Sequence, residues 1–211
     1  MASSSLSPTL AAKLSAKTPF TLPSSFTGDK KVLCIGMGGG CDVITAYVVA
    51  QHFPGLSKNV AWGNTKRTVE GLKPISEDGN IWTVPEFKPV VMGSNYYGTC
   101  GIDAAVPQGP HNSPLVVKML RAPKAQEGGG ASAPPPKVPE EKLEALGASV
   151  AALGFDAVIG VDAGGDSITG GIDHNGDPSQ GVDQMMLRVL QYSQLPFLQV
   201  VCGLGCDGES T

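Results

Sequence analysis

The stretch VLCIGMGGGCDVITAYVVA, residues 32–50, decides the fold class of this 211-residue chain. Its first four residues are apolar throughout, as in a strand of a parallel sheet that is covered on both faces. The run ends in the glycine cluster at 36–40, and apolar residues then recur at helical spacing until Pro54. A strand, a glycine turn and a helix in this order predict the first half of a βαβ unit.

The same alternation continues along the rest of the chain. Strands are predicted at 60–62, 81–84, 156–161 and 197–202, and amphipathic helices at 140–153 and 182–192. Residues 115–120 are compatible with a strand, although Ser113-Pro114 could equally open a helix. Alternating strands and helices predict an α/β fold with a parallel sheet.

Two segments fall outside this pattern. Residues 1–28 carry two lysines, many serines and no acidic residue, which favours a flexible tail over an organelle transit peptide. Residues 121–139 have the composition of a linker and are predicted to be a low-complexity loop, since the elements on either side complete each other. Residues 29–211 are therefore expected to form a single α/β domain with this loop inserted.

Charge and cysteine content limit the partners. From residue 154 onward the chain has eight acidic residues against Arg188 alone, which argues against nucleic acid and leaves room for a metal ion or a cationic substrate. No run approaches the length of a membrane span. Five cysteines without a secretory signal indicate reduced thiols in an intracellular compartment, with the cytoplasm favoured over an organelle.

Three of the predicted strands end in segments rich in glycine and carboxylates. In a parallel α/β sheet these ends share one edge, and the ligand crevice lies there. The first segment is a turn of the kind that binds phosphate with backbone amides at a helix N-terminus. Residues predicted to bind a cofactor, either an NAD-like nucleotide or a nucleoside phosphate, are Gly36, Gly38, Gly39, Gly40, Asp42, Gly164, Gly165, Asp207, Gly208 and Glu209.

The glycine turn departs from the dinucleotide fingerprint, because Cys41 stands where GxGxxG has its third glycine. A tight turn with Asp42 capping the helix is the alternative to phosphate binding. No acid follows the second predicted strand to hold a ribose hydroxyl. Asn64, Lys66 and Arg67 stand there instead, which suits either an extra phosphate or a solvated loop.

Asp162 and Asp166 leave a predicted buried strand with two glycines between them. Two carboxylates in such a loop can share a divalent cation, which relieves their mutual repulsion, or act as acid and base. They are the predicted catalytic pair, and together with Asp207 they are the predicted metal ligands. Alternatively, Asp162 caps a turn and the Asp166 carboxylate accepts hydrogen bonds from amides of the loop.

Four motifs occur in a fixed order: GMGGGCD, VDAGGDSITGG, DPSQGVDQMMLRVL and GLGCDGE. Together they resemble the domain of unknown function 1152 family, over roughly residues 30–211. The resemblance implies a Rossmann-like three-layer fold with a mostly parallel sheet, distantly similar to the NAD/FAD-binding fold of sirtuins and deoxyhypusine synthases. Family members usually continue beyond the last motif, so the resemblance is compatible with a C-terminally truncated sheet that has an uncovered edge, and an oligomer is compatible with the sequence.

Three functions follow from these patterns. The first is an enzyme that acts on a nucleotide or a phosphorylated small molecule, which the glycine turn holds beside the aspartates. The second is a non-catalytic nucleotide-binding or regulatory module, in which the acids only shape the crevice. The third is a metal-dependent hydrolase that uses the carboxylates but no nucleotide. In each case the expected partner is a small molecule.

Overall fold

A computed structural model describes residues 21–38, 42–66, 72–83, 115–120, 137–169 and 181–205. Within these ranges the chain forms seven β-strands and four α-helices. The strands are β1 (Lys31–Gly36), β2 (Asn59–Lys66), β3 (Lys73–Pro74), β4 (Ile81–Thr83), β5 (Leu115–Lys118), β6 (Ala157–Ala163) and β7 (Phe197–Cys202). The helices are α1 (Asp42–His52), α2 (Glu140–Ala151), α3 (Asp166–Thr169) and α4 (Val182–Tyr192).

All seven strands lie in one sheet, in the order β3-β4-β5-β2-β1-β6-β7. The five strands from β5 to β7 are parallel, whereas β4 pairs antiparallel with β5 and with β3. The chain moves outward from β1 to β2, and it later returns to the other side of β1 with β6. The mostly parallel α/β sheet is therefore confirmed, and it is compatible with a Rossmann-like three-layer fold.

Helices cover both faces of the sheet, which explains why β1 is apolar at every position after Lys31. Val32 and Cys34 face α1 in one core, while Leu33 and Ile35 face α2 and α4 in the other. Successive side chains of a strand point to opposite faces, so a strand between two helical layers needs apolar residues on both. No helix within the described ranges is long and apolar enough to cross a bilayer.

Most of the predicted elements are present, whereas β3 and α3 were not predicted and β6 extends to Ala163. Residues 115–118 form a strand, so the helical alternative for this segment was wrong. β2 is longer than the predicted 60–62 and includes Asn64 and Thr65, both of which are buried. The solvated-loop interpretation of Asn64 was therefore wrong, because pairing with β1 and β5 carries the strand past Trp62.

The end of the segment predicted to be a flexible tail is packed against the domain. Leu22 and Phe26 are buried in the core beneath α1. The Phe26 carbonyl accepts the Ser57 N–H at 2.9 Å, and the Ser57 hydroxyl donates to the Gly28 carbonyl at 2.9 Å. The domain therefore begins before the predicted boundary at residue 28, because Leu22 and Phe26 are part of its core. Residues 1–20 lie outside the described ranges.

Gly147 sets the close approach of α2 to α4. A methyl group at this position would lie 2.6 Å from Tyr192 Cβ and 2.8 Å from the Val189 carbonyl oxygen. We expect Gly147→Ala to lower the free energy of unfolding by about 1–2 kcal/mol, because overpacking outweighs the better helix propensity of alanine. Urea denaturation measures the change, and Lys142→Ala, at an exposed position on the same helix, should stay within about 0.5 kcal/mol. An unchanged or raised midpoint for Gly147→Ala would contradict this packing.

Candidate functional site

The carboxyl ends of β1 and β6 lie side by side at the centre of the sheet, because the two strands are parallel neighbours. The chain leaves β1 toward α1, and it leaves β6 toward α3. Strand order reverses at this pair, and in open α/β sheets such a reversal leaves a crevice between the diverging connections. Asp42, Asp162 and Asp183 all lie here.

Asp42 is the first residue of α1 and is buried. Its Oδ2 accepts the Gly38 N–H at 2.7 Å, and its Oδ1 accepts the Ala163 N–H at 2.8 Å. The carboxylate thus ties the turn after β1 to the end of β6. Burial raises the pKa of Asp42 to about 7, with the charges of Asp162 and Asp166 acting in the same direction against the two backbone hydrogen bonds.

Asp162 is fully buried near the end of β6 and holds the loop that follows it. Its oxygens accept the N–H groups of Gly165 and Ser167 at 3.0 and 3.1 Å, and also the Ser167 hydroxyl. Gln199 donates to that hydroxyl from β7 at 2.6 Å. Gly164 and Gly165 have φ values of 127° and 106°. Residues that carry a side chain rarely adopt such values, so the sharp turn around the carboxylate needs glycine.

Asp183, the second residue of α4, was not among the residues predicted for the site. It is 2% exposed, and its Oδ1 has no hydrogen-bond partner among the described residues. Burial raises the pKa of Asp183 well above its usual value; the charges of Asp42, Asp166 and Asp162 and a hydrogen bond with Asp166 add to the rise. A sequence signal existed, since this acid shares a helix face with the apolar Met186 and Leu190.

One carboxylate oxygen each from Asp42, Asp162 and Asp183 lies within 4.8 Å of the others, and all three residues are buried. Buried like charges cost free energy unless a proton or a cation neutralises them. Oxygen ligands at this spacing suit a hard divalent cation such as Mg²⁺, Mn²⁺ or Ca²⁺. These three aspartates are the residues, among those described, that could hold a metal ion.

This set differs from the predicted metal ligands Asp162, Asp166 and Asp207. Asp162 belongs to both sets. Asp166 begins α3, is half-buried and bonds Asp183, so it flanks the three aspartates rather than completing them. Several predicted or discussed residues lie outside the described ranges: Gly39, Gly40, Cys41, Arg67, Asp207, Gly208 and Glu209.

The glycines of the first turn make room for side chains from other strands and helices. A Cβ on Gly38 would lie 2.0 Å from Asp183 Oδ1, and a Cβ on Gly36 would lie 2.8 Å from Asn64 Oδ1. The Gly38 amide also donates to Asp42 across the turn, a bond that the predicted capping of the helix by Asp42 did not include. The Gly38 amide is therefore not available to a phosphate in this conformation.

Asn64 lies opposite Gly36 in the β1–β2 pairing and is 0% exposed. Neither its Nδ2 nor its Oδ1 has a hydrogen-bond partner among the described residues. The next residue, Thr65, donates its hydroxyl to the Gly36 carbonyl at 2.8 Å and so joins the ends of the two strands. The amide of Asn64 therefore brings an unpaired donor and an unpaired acceptor to the same end of the sheet.

Comparison with known proteins identifies one family. The family described as "Protein of unknown function (DUF1152)" matches residues 33–211. No curated protein and no solved structure matches the chain.

Proposed function

This chain belongs to the family of proteins of unknown function DUF1152, and we propose that it is an enzyme that binds a nucleotide or phosphorylated small molecule together with a divalent cation. The site is the crevice between β1 and β6. The observation that carries the proposal is the set of three buried aspartates whose carboxylate oxygens lie within 4.8 Å of one another. When its carboxylates are ionised, such a set is costly unless a cation neutralises them.

The position of this set favours a small-molecule ligand. It lies where the strand order reverses, and two helices of 11 residues each, α1 and α4, begin there. Helix N-termini favour negatively charged groups, but Asp42, Asp162 and Asp183 would repel a phosphate in the absence of a cation. Mg²⁺ is commonly held by one or two carboxylates and by the phosphates of the substrate, so a bound cation would join the protein to its ligand.

The aspartates divide into two roles in this proposal. Asp42, Asp162 and Asp183 hold the cation, because each keeps oxygen lone pairs beyond the hydrogen bonds it accepts. Asp166 is half-buried beside Asp183 and is the acid–base residue. Gly36 and Gly38 contribute the space that the side chains of Asn64 and Asp183 occupy beside the ligand.

Both alternatives from the sequence apply to the same crevice. A non-catalytic nucleotide-binding module would bind the ligand and turn nothing over, and a metal-dependent hydrolase would bind the cation and respond to no nucleotide. An intracellular setting belongs to the proposal and rests on the odd number of cysteines in the sequence.

Thermal unfolding of the purified protein tests the proposal, with NAD, NADP, FAD, ATP, ADP and S-adenosylmethionine, each with and without Mg²⁺ or Mn²⁺. A ligand at about 100 times its Kd should add about 2.7 kcal/mol to the unfolding free energy. We expect at least one nucleotide to stabilise the protein, and to do so only with a divalent cation. A cooperative transition that no nucleotide shifts would contradict the proposal, as would a nucleotide shift that survives chelation.

Once a stabilising nucleotide is known, measuring both its turnover and its thermal shift separates the enzyme from the two alternatives. Asp166→Asn should then abolish turnover while the cation-dependent thermal shift remains. Nucleotide binding without turnover in the wild type would favour the binding module. A response to the cation alone, with hydrolysis of a substrate that contains no nucleotide, would favour the third function.

A further inference from the structure

Asn64 differs from the aspartates in being neutral, and it reaches the crevice from a third strand. Its Oδ1 lies 2.8 Å from the position that a Cβ of Gly36 would take, and that position is 2.9 Å from Asp42 Cβ. The amide therefore points to the corner where β1 turns into α1. The absence of a side chain on Gly36 is what leaves it this space.

An unpaired buried amide is unusual and has a cost. Leaving one buried donor or acceptor without a partner costs about 1–3 kcal/mol, and Asn64 leaves both kinds unpaired among the described residues. Leucine has a similar size and would avoid this cost if the position only filled the core. The position therefore favours an amide that hydrogen-bonds a ligand over one that only fills the core.

The chemistry of the corner limits what that partner is. The amide offers a donor and an acceptor together, so it pairs best with a group that does the same. A neighbouring carboxylate, Asp42, disfavours a second anion at this point. A hydroxyl group is neutral, donates and accepts, and meets both conditions.

We propose that Asn64 binds a sugar hydroxyl of the ligand, so that the end of β2 recognises the ribose while the aspartates hold the cation and phosphate. This inference rests on the proposed function. It adds a binding residue from β2 to a site otherwise formed by the segments after β1 and β6 and by α4. It also predicts which part of the ligand contacts which strand.

The test compares three nucleotides that differ only in their sugar: ADP, 2′-deoxy-ADP and 3′-deoxy-ADP. Their Kd values are measured by calorimetry with saturating Mn²⁺ on the wild type, on Asn64→Leu and on Asn64→Ala. Asn59→Leu is the matched control, since Asn59 begins the same strand at the opposite edge of the sheet and is exposed. The unfolding midpoint of each ligand-free variant is recorded alongside.

We expect the wild type to bind ADP about five- to tenfold more tightly than at least one of the two deoxy forms, the usual worth of one or two hydrogen bonds. Asn64→Leu and Asn64→Ala should bind all three nucleotides within about a factor of two, whereas Asn59→Leu keeps the wild-type preference. The unfolding midpoint of ligand-free Asn64→Leu should equal or exceed that of the wild type.

Two results would overturn this assignment. If the wild type binds ADP and both deoxy forms equally well, Asn64 does not contact a sugar hydroxyl, and the proposed function stands without it. If Asn64→Leu lowers the ligand-free midpoint and leaves the sugar preference intact, the amide has a structural partner instead. A wild type that binds none of the three nucleotides overturns the ribose assignment, whereas the proposed function is contradicted only if no nucleotide of the thermal-unfolding panel binds either.

Discussion

Asp183→Asn is expected to weaken divalent-cation binding strongly and at the same time to stabilise the metal-free protein. The carboxyl group of Asp183 is 2% exposed, and one of its oxygens has no partner among the described residues. Asparagine has the same shape and no charge, so it removes the repulsion from Asp42 and Asp166 without leaving a cavity. We expect the unfolding free energy of the metal-free protein at pH 8 to rise by about 1–3 kcal/mol.

Loss of this ligand should weaken Mn²⁺ binding by about a hundredfold or more, since even outer partners of metal ligands contribute about 10–100-fold. Electron paramagnetic resonance of free Mn²⁺ measures the affinity, and urea denaturation measures the stability. Asp29→Asn is the matched control, because Asp29 is exposed in the loop that leads into β1, at the opposite edge of the sheet. A variant that binds Mn²⁺ as tightly as the wild type would remove Asp183 from the site, and a loss of metal-free stability would show that its carboxylate is needed structurally.

The metal-free protein should lose stability as the pH rises from about 5 to about 8. Burial raises the pKa of Asp42 from its unfolded value of 3.8 to about 7, and Asp183 shifts in the same direction. Between these values the folded state binds more protons than the unfolded state, so the unfolding free energy falls with increasing pH. The stability that Asp42 contributes is fully present below pH 3.8 and is lost as the pH passes through about 7.

For Asp42 alone the effect amounts to about 4 kcal/mol at most, at about 1.4 kcal/mol for each pKa unit. Carboxyl groups with a lowered pKa change the unfolding free energy in a different pH range. One of them is Asp156, whose pKa is lowered first by the Lys31 N–H, and such groups lose their contribution only in acid, near or below 3.8. Urea denaturation from pH 5 to pH 8 in the presence of EDTA therefore isolates the aspartates of the crevice.

Saturating Mn²⁺ should remove most of this pH dependence at pH 7–8, because the cation takes over the role of the protons. Asp183→Asn should reduce the slope in EDTA, while Asp29→Asn should leave it unchanged. A metal-free stability that is flat or rises across this range would show that Asp42 and Asp183 titrate at ordinary values, and the electrostatic case for a cation would then be lost.

Local sequence patterns were enough to predict most elements of the fold. Residues 182–192 and 197–202 have the bounds that apolar periodicity and the flanking residues indicated. Where the sequence pattern was ambiguous, hydrogen bonding to neighbouring strands determined the secondary structure of the segment. Residues 115–118 became a strand because β2 and β4 bond to them on either side, and β2 extends through Asn64 because β1 and β5 flank it.

The residues of the site also form two groups: those that the sequence predicted, and those that packing between distant elements brings there. The sequence was enough to predict that Asp42 and Asp162 lie together, because Asp42 follows β1, Asp162 lies near the end of β6, and parallel strands end on the same side of their sheet. That Asp183 and Asn64 join them depends on how the elements pack in three dimensions. Asp183 comes from a helix packed on one face of the sheet, and Asn64 comes from a neighbouring strand that extends past Trp62. Their burial depends on packing between elements distant in sequence, which no local periodicity records.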